Sequence, residues 1–353
     1  MISQTDSNSQ ASSKSGRKDK RYVAISIDVE GVHGRNPFGQ MAYGDIGEEE
    51  DWGALKIARV LKENGLCGTF FVDVYEAFLY GEETVGTLCK KLVELEQDVQ
   101  LHTHPSWRID NRDFHELQEL KREKCWFPVS QDFMYKLSLP EQEEVIKWGC
   151  EFLEKWVGKR PVAHRSGGYG ANRETLIALK NNGLQLDSST FYGHPNCKLQ
   201  VTDNQPLVLD GVVEIPVTGF RKKEVVDLWI GRKTREFPFV KTSIDGVSAR
   251  EMVWFLDQSV DSGVRVLNVF LHSYSLMTFD GNFKKFSSSY KKEYEFRKIL
   301  KYILEHDDVV CAPFGDVDIW RKIAQKGSKT KDVPYLESSV SLIHKIKNRY
   351  FNS

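Results

Sequence analysis

RYVAISIDVEG, residues 21–31, is the stretch from which the fold can be read. Tyr22 to Ile27 is a short apolar, β-branched run, and it stops at two acids, Asp28 and Glu30, followed by Gly31. Such a run reads as a buried strand that ends in a functional loop. Residues 35–51 are Gly-rich and acidic and read as a long loop. ALKIARVLKENG (54–65) then sets Leu55, Ile57, Ala58, Val60 and Leu61 on one helical face and stops at Asn64-Gly65. CGTFFVDVY (67–75) is a second strand, a helix follows over 82–96, and DVQLHTHP (98–105) is a third strand that ends in histidines.

The alternation continues to the end of the ordered part. SLPEQEEVIKWGCEFLEKWVG (138–158) reads as a helix capped by Ser138, with Pro140 at an early position. RPVAHRSGGYG (160–170) is a strand and a glycine turn, and ANRETLIALKNNG (171–183) is a helix. LQLDSS (184–189) and VVEIPVTG (212–219) are strands, and SAREMVWFLDQSVDSG (248–263) is a helix. VRVLNVFLHSYSL (264–276) is a strand ending in His272, followed by a helix over 288–307 and a last strand, VVCAP (309–313). About eight strands, mostly separated by helices, predict an α/β protein with a parallel sheet closed or nearly closed into a deformed (β/α) barrel. An open doubly wound sheet is the alternative.

The whole chain fits one large α/β domain: 353 residues, 40% hydrophobic and 28% charged. With 49 basic against 50 acidic residues, nothing in the charge balance favours nucleic acid as a partner. Six cysteines, at 67, 89, 125, 150, 197 and 311, form no CxxC pair, so reduced thiols and a cytoplasmic location are expected. No apolar run reaches the roughly 20 residues of a bilayer span, and residues 1–20 are polar and expected to be disordered. The domain is expected over 21–323. Residues 324–353 read as a linker and a basic amphipathic tail, which either packs back on the domain or makes a peripheral membrane or partner contact.

In a parallel α/β architecture the carboxyl ends of the strands share one face. Asp28 and Glu30, His102 and His104, Arg165 with Gly167-Gly168-Tyr169, Asp187, and His272 all follow strands. His102 and His104 stand at i and i+2, so they share one side of an extended chain and can grip a transition metal, with a carboxylate completing the set. Asp28 and Glu30 repeat that spacing. Two carboxylates on one side are costly unless a cation relieves them; one can ligate a divalent metal while the other takes a proton from water. Arg165 can fix a rim carboxylate, the glycines around Tyr169 allow close backbone approach and an oxyanion-binding N–H, and His272 is a candidate general acid. Each also has a plain structural reading: an acidic loop, a polar turn, an ion pair or a core histidine. Trp107, Trp126 and Phe127 could line a sugar cleft or pack a lid.

Together these motifs resemble the polysaccharide deacetylase (NodB-homology) superfamily, carbohydrate esterase family 4 in the broad sense, from about Tyr22 to about Trp320. SIDVEG stands where the family has its paired-acid motif, GTFFVDV is similar to its second strand, and LHTHP to its metal-histidine motif. HRSGGYG is similar to its Arg-containing motif and FLH to its Leu-x-His motif, with LDSS around Asp187 a weaker match. The resemblance implies a deformed barrel and hydrolysis of an N-acetyl amide or O-acyl ester on a sugar. It implies a divalent ion, zinc above all, held by Glu30, His102 and His104. Asp28 would be the base and Arg165 would orient it. The Tyr169 N–H would face the oxyanion, and His272 would protonate the leaving amine. The sequence departs from the family's usual pattern in three places: Val29 separates the two acids, the histidines are two apart rather than four, and glycines replace prolines after Arg165. Asp28 and Glu30 can therefore exchange roles.

The expected activity is removal of an acyl group from an amino sugar or glycan precursor in surface polysaccharide biosynthesis. The alternatives are a deformylase or an amide hydrolase acting on a non-sugar C–N bond, and a non-catalytic glycan-binding domain on a degenerate barrel.

Overall fold

The computed structural model describes residues 20–31, 52–105, 133–201, 204–228, 231–279, 286–327 and 335–341. The polar segment to residue 19, the acidic loop 35–51, Trp107, Trp126 and Phe127 lie outside the described residues.

Strand β1 (Arg21–Val29) is the hub of a nine-stranded sheet. It pairs in parallel with β10 (Val266–His272) along its length, in a register that sets Asp28 beside His272. On its other edge it pairs with β13 (Val309–Cys311) near its start and with β2 (Thr69–Asp73) near its end. From β2 the sheet runs on, all parallel, through β3 (Asp98–Thr103), β4 (Ala163–Ser166), β5 (Leu186–Asp187) and β7 (Val212–Glu214). β6 (Leu207–Leu209) lies antiparallel on β7. Thr218 and Thr242 tie the two ends of this sheet together. The Thr218 N–H donates to the Asn268 carbonyl at 3.4 Å, the Thr242 N–H to the Thr218 carbonyl at 3.0 Å, and the Phe270 N–H to the Thr242 carbonyl at 2.8 Å. A seam of single residues thus stands where a regular barrel has a full strand pair, and the barrel is deformed there.

The helices cover the outside. Helices α1 (Ala54–Glu63), α2 (Ala77–Tyr80) and α3 (Glu82–Glu94) follow β1 and β2. α4 (Leu139–Val157) begins in a Ser138–Glu141 capping box and stops at Gly158, whose φ of 73° an L side chain rarely adopts. α5 (Arg173–Asn181), α6 (Ala249–Ser262), α7 (Tyr290–Glu305) and α8 (Val317–Lys326) complete the set among the described residues.

Side-chain parity along the strands separates two cores. Val23, Ile25, Ile27 and Val29 of β1, Phe70 and Val72 of β2, Leu101 of β3 and Leu267, Val269 and Leu271 of β10 belong to the large cluster beneath the helices. Ala24, Phe71, Ala163, Leu186, Val213 and Val266 have the opposite parity and form the inner cluster, plugged from below by Phe314 and Trp320. Full burial of both faces is why these strands are near-continuous apolar runs. The inner face carries the polar exceptions.

Two features differ from the sequence reading. The segment 219–241, for which no element is expected, forms the hairpin β8 (Gly219–Leu228) and β9 (Gly231–Lys241). Helix α8 runs to Lys326, past residue 324 where the tail is expected to begin. Within that tail β14 (Tyr335–Ser341) is a strand lying parallel on β8, so this piece packs back on the domain, the first of the two expected arrangements, and residues 342–353 lie outside the described residues. Backbone pairing to β8 gives this piece its order, and that pairing is invisible in the composition of the tail. Cys67, Cys89, Cys150, Cys197 and Cys311 are free thiols.

Candidate metal centre and its surroundings

The inner-face parity that begins with Ala24 continues through Ser26, Asp28 and Glu30. Applied to the other strands, it selects Gln100, His102 and His104, then Arg165, and then Asn268, Phe270 and His272. All are buried except His272, which is half-buried. The period-2 geometry of a strand, repeated on neighbouring strands in parallel register, sets these residues on the inner face, and the last of them on each strand, Asp28 with Glu30, His102 with His104, Arg165 and His272, come to one end of the barrel.

Glu30, His102 and His104 each offer a ligand atom, and these atoms lie within 4.8 Å of one another. Glu30 Oε2 is 3.1 Å from His102 Nε2 and 2.6 Å from His104 Nε2. The two imidazoles meet edge to face, 4.9 Å between centroids. His102 Nδ1–H donates to the Arg165 carbonyl at 2.8 Å, which leaves Nε2 as the lone-pair nitrogen facing Glu30. A second partner that fixes the ring tautomer in this way is the usual support for a metal-binding histidine. Burial raises the pKa of Glu30, but His104 and His102 outweigh it and hold the carboxyl well below its usual range. A carboxylate kept ionised in a buried site, with two imidazole nitrogens aimed at the same oxygen, fits a divalent cation of the zinc type.

Asp28 borders this group. Its Oδ2 is 3.9 Å from His102 Nε2, and its Oδ1 accepts from Arg165 Nη1 at 2.7 Å. The Arg165 guanidinium is 1% exposed. It lies between the rings of Phe71 and Phe270, at 4.3 and 5.3 Å, and also donates to Ser26 Oγ, Ser188 Oγ and the Ser188 carbonyl. Asp28 is therefore held in a fixed orientation by a charge that cannot leave it.

His272 Nε2 is 3.5 Å from Glu30 Oε1, and His272 Nδ1 is 3.7 Å from Asp245 Oδ2. Its ring stacks on Tyr274, 4.7 Å between centroids with a 9° tilt. Asp245 also accepts from Ser275 Oγ at 2.5 Å and Lys292 Nζ at 3.2 Å. Burial pushes the Asp245 carboxyl up, yet His272, Lys292 and Ser275 together hold it well below the ordinary value. Sequence reasoning passes over Asp245. It follows a strand end, as the other rim residues do, but β9 is not legible in the sequence, so there is no strand for it to follow.

The glycine turn after β4 has a steric cause. A Cβ on Gly167 would overlap the His104 imidazole, and one on Gly168 or Gly170 would press on Phe133. Gly168 and Tyr169 both take positive φ, 57° and 61°. For a tyrosine this is a strained conformation, of the kind concentrated at functional sites. Its ring is wedged against Phe191 and His194, and its buried hydroxyl has no hydrogen-bond partner. Gly167→Ala is expected to displace His104 and weaken zinc binding about 10–100-fold with an unchanged far-ultraviolet circular dichroism spectrum, as read by chelator competition. Unaltered affinity would show that the glycine serves only the turn.

Asp187 does not join the rim. Leu186 faces the inner cluster, so the next residue faces outward. There Asp187 Oδ1 accepts from His164 Nδ1 at 2.9 Å, and Thr103 Oγ1 donates to His164 Nε2 at 2.9 Å. The buried Glu214 shares that pocket, and its pKa is raised well above the usual range by burial and by Asp187. His194 lies tilted against Tyr169, His306 lies on Tyr302, and His33, His115 and His344 are outside the described residues.

Several solved structures share this architecture, among them three that cover most of this chain. One is a protein from Mycobacterium smegmatis assigned as a polysaccharide deacetylase, at TM-score 0.53 and 14% identity, with 90% of this chain and 95% of that one covered. Another is a protein from Pseudomonas aeruginosa PAO1, also assigned as a polysaccharide deacetylase, at TM-score 0.51 and 13% identity, covering 86% and 92%. The third is an allantoinase, at TM-score 0.52 and 13% identity, covering 89% and 94%. No family model and no curated protein matches the sequence. The chain has the polysaccharide deacetylase (NodB-homology) fold, a deformed (β/α) barrel.

Proposed function

We propose that the protein is a metal-dependent hydrolase that removes an N-acyl group, acetyl in the first instance, from an amino sugar or glycan precursor. The observation that carries this reading is the division of labour between two neighbouring carboxylates. Glu30 lies against two imidazole nitrogens, and Asp28, which also reaches toward His102, is clamped by Arg165. Glu30, His102 and His104 would hold the ion. Bound there, a divalent cation such as zinc acidifies water and polarises an acyl carbonyl. Asp28, acceptor-only and fixed by Arg165, takes the proton from the attacking water. The Tyr169 N–H, on the strained turn, is the oxyanion donor. His272, backed by the Asp245 carboxylate, carries a proton to the departing amine.

The test is metal content and acetate release from a panel of N-acetylated amino sugars. The reading requires about one divalent ion per chain and loss of hydrolysis in Asp28→Asn; a metal-poor protein, or an Asp28→Asn variant with intact turnover, sinks it. Asp245→Asn keeps the ion and the shape but removes the charge behind His272. Its kcat is expected to fall about 10–100-fold with metal content unchanged, measured by steady-state acetate release. No change in kcat would remove His272 from the proton path.

A second reading keeps the site and changes the bond. One of the three structural neighbours is an allantoinase, so a non-sugar C–N amide is a second substrate class for the same residues. Allantoin turnover without acetate release would favour it, and formate release from N-formyl sugars would mark a deformylase.

A further inference from the structure

Lys241 ends β9 at the rim, and the hydrolytic scheme gives it no task. Its ammonium lies 3.5 Å from the centroid of Phe270 and 5.6 Å from that of Tyr169. Phe270 is the ring that meets the His272 imidazole edge to face at 4.8 Å and flanks the Arg165 guanidinium. The lysine therefore reaches over the inner face, between the glycine turn and the histidine of β10. Three other half-buried lysines are neutralised: Lys56, Lys222 and Lys292 have carboxylates at 3.6, 2.5 and 3.2 Å. Among the described residues no carboxylate lies within 4.0 Å of Lys241. Burial lowers its pKa to about 8; Asp28, Asp245 and Glu30 raise it only from a distance. Holding a cation half out of water on aromatic faces, with no anion, is unfavourable unless an anion arrives with the ligand.

We propose that Lys241 binds an anionic group of the substrate, a carboxylate or phosphate carried on the sugar beside the N-acyl group. This rests on the deacylase reading of the neighbouring site and narrows it to acidic or phosphorylated amino sugars. A neutral sugar leaves the ammonium unpaired, so discrimination comes from a missing partner as much as from a gained contact.

Ligand-observed NMR on the full-length, zinc-loaded protein tests both readings in one sample, because it reports binding and acetate release together. The probes are N-acetylglucosamine, N-acetylglucosamine 1-phosphate and N-acetylmuramate. At least one anionic probe is expected to bind about tenfold or more tighter than the neutral sugar. Lys241→Met is expected to abolish that difference and Lys241→Arg to keep most of it. A gain confined to one probe identifies phosphate or carboxylate as the group recognised. Equal binding of all three probes, no binding by any, or an anion preference that survives in Lys241→Met overturns the proposal. Lys241-dependent anion binding with no acetate released sinks the hydrolase reading and leaves this one standing. Acetate release with no Lys241 dependence does the reverse.

Discussion

His104→Ala is expected to strip the protein of its divalent ion and lower hydrolysis by about a thousandfold. Among the described residues Glu30, His102 and His104 form the group that could hold a metal ion, and their ligand atoms lie within 4.8 Å of one another. Removing one imidazole leaves a carboxylate and a single nitrogen, too few donors to hold a transition metal against water. Loss of an outer-sphere partner alone costs 10–100-fold in affinity, so a lost ligand is expected to exceed about 100-fold. The polarising charge contributes several kcal/mol to the transition state, and its removal corresponds to about 10³ in rate. Elemental analysis of the purified variant and acetate release before and after adding zinc measure the two effects. A variant that still carries one ion per chain would falsify the assignment of His104 as a ligand.

Arg165→Met is expected to cost about 3–5 kcal/mol of folding stability, the largest loss predicted for any single side chain here. The guanidinium is buried between Phe71 and Phe270 and bonds Asp28, Ser26, Ser188 Oγ and the Ser188 carbonyl. Methionine fills the space between the rings but leaves the Asp28 carboxylate buried and without its partner. That stranded charge dominates the cost, so Asp28→Asn in the Arg165→Met background should restore part of the stability. Arg165→Lys keeps one charge but cannot present the planar fork to acceptors on several elements, and an intermediate loss is expected. Urea unfolding of the wild type, Arg165→Met, Asp28→Asn and the double variant gives the cycle, with Arg165→Lys measured beside them. If Arg165→Met were within about 1 kcal/mol of the wild type, the idea that this pair anchors the barrel interior would be wrong.

Much of the barrel is legible in the chain because each strand is a short apolar run and each helix has its own stop. Asn64-Gly65 and the Ser138–Glu141 box are local signals, and the elements follow them. The β8–β9 hairpin is not legible: 219–241 breaks its short apolar runs, such as Val225-Val226, with charges including Arg221, Lys222 and Lys223, and its pairing with β14 joins segments more than a hundred residues apart. Lys241 ends this hairpin and Asp245 follows it, so they escape the sequence reading for the same reason.

The rim residues divide in the same way. Acids and histidines at strand ends, at i and i+2, are enough by themselves to mark Asp28, Glu30, His102 and His104, because strand geometry forces both members of each pair to one side. Sequence cannot say which side. Asp187 also follows a strand, yet its parity turns it outward to His164, while Arg165 turns inward to Asp28. The tertiary structure decided that, and it also separated the two acids: Asp28 meets the guanidinium and Glu30 meets the imidazoles. Order along the chain fixes neither. The roles follow from which strands are neighbours, the register that holds them and the closing of the barrel across Thr218 and Thr242, and each of these depends on contacts between residues far apart in sequence.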